Sequence, residues 1–89
     1  MNIENEQLIK NVITSVYDSK VKQHLAPITS RTTEEAIRAF GAAAKQESHD
    51  FKQFAEDYTL WILGYYYPQT GILEPCNRMQ VASASEFKN

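Results

Sequence analysis

Tyr65-Tyr66-Tyr67 is the sharpest chemical feature of the chain. On an extended strand, Tyr65 and Tyr67 share one face and Tyr66 takes the other. Two uses compete. As structure, the rings cap a core and leave their phenol tips in water. As chemistry, they form a platform on which nucleobases stack, each ring contributing about 1–3 kcal/mol per base. The second use needs cations for the phosphates. Lys20, Lys22, Arg31, Arg38 and Lys45 are the candidates, with Arg38 and Lys45 seven residues apart on a helical row. If the end of the first strand and the helix face meet, these residues form one basic patch. A solvated, scattered surface is the competing reading.

Other chemistry finds little support. There is no phosphate-binding glycine loop, no paired metal-binding histidine motif and no nucleophile elbow. His24 and His49 stand alone and read as surface or packing residues. Asp50, Glu56 and Asp57 read as a solvated face rather than a cation cage. The single cysteine, Cys76, permits no internal disulfide and reads as a small apolar side chain. The chain is therefore expected to be no enzyme, with no catalytic residue, no metal and no cofactor.

Composition bounds the rest. Eighty-nine residues, 43% hydrophobic and 22% charged, suit one small domain. Nine Lys and Arg against eleven Asp and Glu leave a net charge of −2, too acidic to coat duplex DNA by charge alone. No apolar run reaches membrane-spanning length, and no membrane association is expected. A disulfide-free domain this small points to a reducing compartment. Residues 1–8 read as a flexible leader before a single domain over 9–89.

The elements that position these residues follow from periodicity. Leu8 to Tyr17 satisfies a helical spacing, yet Val12-Ile13-Thr14-Ser15-Val16-Tyr17 is rich in β-branched residues, which favour a strand from Asn11 to Asp18. Leu25 to Ser30 contains Pro27 and is at best a short edge strand. Thr32-Thr33-Glu34-Glu35 is a capping box. The Thr32 hydroxyl is expected to accept from the Glu35 N–H, and the Glu35 carboxylate from the Thr32 N–H. Ala36, Ile37, Phe40, Ala43 and Ala44 continue it as an apolar stripe, so a helix is predicted over about 33–46, with Gly41 marking close packing onto a sheet. Phe51 and Phe54 anchor a short helical turn in the polar segment that follows.

Tyr58, Trp61 and the tyrosine triplet gather half of the aromatic rings into one hairpin. Alternation sets Tyr58, Leu60 and Ile62 against Thr59, Trp61 and Leu63. Bulk on both faces means a central, covered strand or an exposed aromatic patch, and Trp61, among aliphatic residues, reads as core. Gly64 signals a bulge or close backbone approach. Pro68-Gln69-Thr70-Gly71 makes the turn. The return strand begins at Ile72-Leu73 and is limited by Pro75, and Val81 to Phe87 is read as a short last helix. The fold class is α+β: a small, mostly antiparallel sheet with the main helix on one face.

Val16-Tyr17-Asp18-Ser19-Lys20, Ala26-Pro27, Glu35-Ala36-Ile37-Arg38-Ala39-Phe40, Asp57-Tyr58-Thr59-Leu60-Trp61-Ile62-Leu63-Gly64 and Thr70-Gly71-Ile72-Leu73-Glu74-Pro75 occur in this order. Together they resemble the small nonstructural protein of gokushoviruses, single-stranded-DNA phages of the Microviridae. The resemblance spans about Asn11 to Phe87. It implies a non-virion accessory protein in the host bacterial cytoplasm, binding DNA or acting during single-stranded genome synthesis and packaging. This chain departs from the family in its longer leader, and in carrying Tyr65, Tyr67 and Pro68 where acidic residues are usual. The leading expectation is a single-stranded-DNA-binding homo-oligomer using Lys20, Lys22, Arg31, Arg38, Lys45, Tyr65 and Tyr67. The alternative is a module that binds a host or viral protein through the aromatic hairpin.

Overall fold

The computed structural model describes residues 9–87; the leader expected at 1–8 lies outside them. The chain runs β1 (Asn11–Asp18), β2 (Gln23–His24), β3 (Ile28–Ser30), α1 (Thr33–Ala44), α2 (Asp50–Gln53), β4 (Tyr58–Tyr67) and β5 (Ile72–Ser83). Short 3-10 turns at Ala55–Asp57 and Ala84–Phe87 follow α2 and β5. This is the α+β architecture expected. The sheet order is β2-β1-β4-β5, with β3 beside β2 on the outer edge of β1, and every pairing is antiparallel. The β-branched run of β1 takes the strand, because it lies between neighbours on both sides and its helical spacing has no partner to bury it.

The capping box forms with one shift. Thr32 Oγ1 accepts from the Glu35 N–H at 3.0 Å. The Glu35 carboxylate accepts from the N–H of Arg31 at 3.1 Å, not from that of Thr32, and holds the Arg31 guanidinium at 3.3 Å. The Arg31 N–H is the first cause that keeps the Glu35 carboxyl below its ordinary pKa. The helix stops at Ala44, two residues before the expected Gln46, because the Lys45 N–H turns back to Ala42 and Ala43.

Small side chains on α1 let it lie close to the sheet. Ala36, Phe40 and Ala44 join Leu60, Ala55, Ala82 and Ala84 in the core. Val16, Ile37, Phe51, Tyr58, Val81 and Phe87 surround that core. Phe51 stacks between Phe40 and Tyr58, with ring centres 5.4 and 4.7 Å away. Gly41 serves the C-terminus rather than the sheet. A Cβ there would meet the Phe87 ring at 2.7 Å, so the glycine makes room for Phe87.

β5 corrects the reading of Pro75 as a strand limit. It continues through Pro75 to Ser83, leaving only Ala84–Phe87 for the final helical turn. An edge strand tolerates proline. Opposite Pro75 stands Gly64, where a Cβ would come within 2.5 Å of the Glu74 carbonyl oxygen, so the close approach expected at this glycine is present. Between Pro75 and Met79, residues Cys76, Asn77 and Arg78 face Leu63 alone. That bulge bends and twists the strand. Leu63 is also the extra residue against β1, where Ile13 pairs with Gly64 and Thr14 with Ile62.

Candidate nucleic-acid interface

Register decides which side chains share a face. Val16 pairs with Leu60 beneath the helices, so Ser15 and Tyr17 point to the other side, together with their partners Trp61 and Thr59. His24 pairs with Tyr17 and Gln80 with Trp61 on that same side. The helices and 3-10 turns contribute to the core around Leu60, and leave this second face without a helical cover. Trp61, read as core from sequence, lies here half-buried. Its neighbours in sequence are aliphatic, but its neighbours in space are polar.

The side chains on this face form one connected group. The Ser15 hydroxyl lies 2.6 Å from His24 Nδ1. His24 Nε2 lies 3.0 Å from Arg78 Nη1. A guanidinium can only donate, so Nε2 accepts, Nδ1 carries the proton, and His24 is neutral. Burial, and secondarily the Arg78 charge, hold the His24 pKa below its usual value. The Arg78 guanidinium lies 5.5 Å from the centre of the Trp61 ring. The imidazole sits 4.9 Å from the Tyr17 ring and edge-on to Trp61 at 6.4 Å. Trp61 Nε1 donates to Thr59 Oγ1 at 2.8 Å, which fixes the indole in place.

Arg78 reaches this group through the bulge of β5, which re-aims a side chain from the sheet edge across β4 toward β2. Among the described residues, its side-chain partners are an indole and a neutral imidazole. The ion pairs described, Arg31–Glu35 and Lys52–Glu47, do not include it. Among the described residues Arg78 thus has no carboxylate partner, in a protein of net negative charge.

The residues singled out from sequence are distributed over several places. Lys20 and Lys22 are exposed in the turn between β1 and β2, immediately before His24. Lys22 takes a φ of 59°, a left-handed conformation that tightens this turn. Tyr65 pairs with Val12 near the other end of β1, roughly 20 Å from the lysine turn at the usual strand rise. The extra Leu63 reverses the alternation, so Tyr66 pairs with Asn11 on the open-face side, and Tyr65 and Tyr67 fall on the helix side. Lys10 Nζ sits 4.3 Å above the Tyr65 ring. The Tyr67 hydroxyl donates to Glu74 at 2.9 Å, a bond that raises the Tyr67 pKa. Arg31 is exposed just before α1, Arg38 is exposed on it, and Lys45 is exposed just past its end. Lys45 lies 6.0 Å from the centre of the Phe87 ring.

Lys20 and Lys22 stand in the turn that leads into His24, where Lys20 borders a cleft with Asp18, Phe54, Asp57 and Tyr58, and the other five sequence candidates are set apart from the His24 group. Tyr17, His24, Trp61 and Arg78 were missed. Matching alternation of Ser15 with Tyr17 and Thr59 with Trp61 was a usable signal for the aromatics. Arg78 had none, because its position depends on the bulge.

Among the described residues, no cluster of His, Cys, Asp and Glu could hold a metal ion, and no helix is long and apolar enough to cross a membrane. No curated protein and no solved structure matches the chain. A family model described as phage ORF5 protein matches residues 11–87, and so takes in every strand and helix as well as the Tyr17–His24–Trp61–Arg78 group. The chain belongs to the phage ORF5 protein family.

Proposed function

We propose that this phage protein is a nonenzymatic accessory protein that binds single-stranded DNA in the host cytoplasm, during genome synthesis or packaging. The observation that carries the reading is the helix-free sheet face, where Trp61 lies beside an arginine with no carboxylate partner among the described residues, and Tyr17 beside the histidine which that arginine bonds. Unstacked bases need flat aromatic faces, and their phosphates need cations close by. Lys20, Lys22 and Arg78 supply those cations, and Tyr66 extends the face along the hairpin. Concentrating positive side chains in one place makes the mild net negative charge compatible with binding.

Trp61 is the only tryptophan and reports directly on the site. Titration with an oligothymidylate is expected to quench its emission. Affinity should fall with salt with a slope of about −2, for three neutralised phosphates at about 0.7 each. Unchanged emission at low salt, or binding that ignores salt, would rule the mechanism out.

A second reading has its own support. Ile72 and Leu73 at the hairpin tip are 57% and 66% exposed, an apolar pair that suits a host or viral protein, or a second copy of the chain. Light scattering separates this from DNA binding. A change of mass without oligonucleotide, lost in Leu73→Asp, would place a protein contact at the tip.

A further inference from the structure

We propose that Arg78 is a strap that occupies the Trp61 ring in the free protein, and that a single-stranded base displaces it and releases its guanidinium to the adjoining phosphate. The inference rests on the DNA-binding reading above and assigns that site its regulation. It also assigns a ligand class: a strand with a base free to unstack beside its phosphate, which a closed duplex cannot offer.

Three observations carry it. The guanidinium already lies over the indole, 5.5 Å from its centre, on the face a base would need. Its far end is tethered, because Nη1 donates to His24 Nε2 at 3.0 Å across the sheet. The tether is oriented by Ser15, a side chain 2% exposed whose hydroxyl lies 2.6 Å from the other ring nitrogen. A buried hydroxyl thus holds the imidazole in the tautomer that accepts from arginine. All of these partners are neutral, so a phosphate competes well for the cation, since hydrogen bonds between two charged groups are the stronger kind. Stacking of a base on Trp61 replaces the contact that the indole gives up.

The strap separates two properties that an ordinary cation would link. Removing its tether exposes the indole and keeps the charge. Removing the arginine exposes the indole and loses the charge. Acrylamide quenching of Trp61 in the free protein is expected to rise in His24→Ala, in Arg78→Lys and in Arg78→Ala alike. Lysine keeps the charge but lacks the planar group that lies on a ring.

With oligothymidylate, His24→Ala should bind more tightly than the native chain, with the same salt slope. Arg78→Lys should keep the slope, and Arg78→Ala should lower its magnitude by about 0.7. Equal quenching in the native chain and all three variants overturns the strap. So does weaker DNA binding by His24→Ala. Failure of the native protein to bind the oligonucleotide overturns the DNA-binding reading and the displacement step with it. The quenching arm still reports whether Arg78 covers the indole.

Discussion

His24 is the residue on which the open face turns, and its chemistry follows from its two partners. One partner can only donate, and the other accepts the remaining proton, so the ring is neutral. Its pKa lies below the ordinary 6.5, from burial first and Arg78 second. The unfolded chain therefore takes up this proton more readily than the folded one. Stability contributed by the neutral ring is present above about pH 6.5, and declines as pH falls toward the lowered value. The urea midpoint should drop between about pH 7.5 and about pH 5.5. In His24→Gln, whose amide can both donate to Ser15 and accept from Arg78, that drop should shrink. An undiminished drop would move the effect to another group. Thr32 works at the same scale: Thr32→Ala should cost about 1 kcal/mol in denaturant unfolding, because the Glu35 N–H loses its acceptor.

At the scale of elements, the hairpin of β4 and β5 depends on close backbone contact at Gly64. A Cβ at this position would press on backbone, with the Glu74 oxygen at 2.5 Å and the Pro75 Cα at 3.0 Å. Backbone in a paired ladder cannot step aside cheaply, so Gly64→Ala should destabilise by about 1–3 kcal/mol. At Gly41 the nearest atoms a Cβ would meet belong to the Phe87 ring, the closest at 2.7 Å. A side-chain ring yields more readily than paired backbone, and alanine gains about 1 kcal/mol in helix propensity. Gly41→Ala should therefore cost less than Gly64→Ala when their urea midpoints are compared. The reverse order would mean that Phe87 is held more firmly than the ladder.

Taken together, the described residues form a long body, 52 × 23 × 17 Å, with a Cα radius of gyration of 15.0 Å. A compact chain of this length has a radius of about 12 Å. The difference lies in the hairpin: the core joins α1, α2 and the 3-10 turns to Leu60 and Ala82, while the residues around the turn at 68–71 take no part in it. Stability should be concentrated accordingly. Phe40→Ala and Leu60→Ala are expected to cost about 2–5 kcal/mol as buried truncations. Leu73→Ala at the exposed tip should stay within about 0.5 kcal/mol. Hydrogen exchange provides the direct check, with amides near Leu60 protected up to global unfolding and those flanking the turn exchanging through local opening.

Local rules were enough for much of this architecture. The β-branched run set β1, the Thr32 cap and alanine stripe set α1, Phe40 and Leu60 marked the core, and Gly71 with φ 78° closes the turn where its residue type allows it. These features depend on residues within a few positions of one another, so the amino-acid order alone carried them. The side on which each ring of the tyrosine triplet falls was not local. One extra residue, Leu63, reversed the alternation between Trp61 and the tyrosines. An edge bulge carried Arg78 to a histidine 54 positions away. Strand register and bulges arise only when distant segments pair, and it is their pairing that assembled the open face.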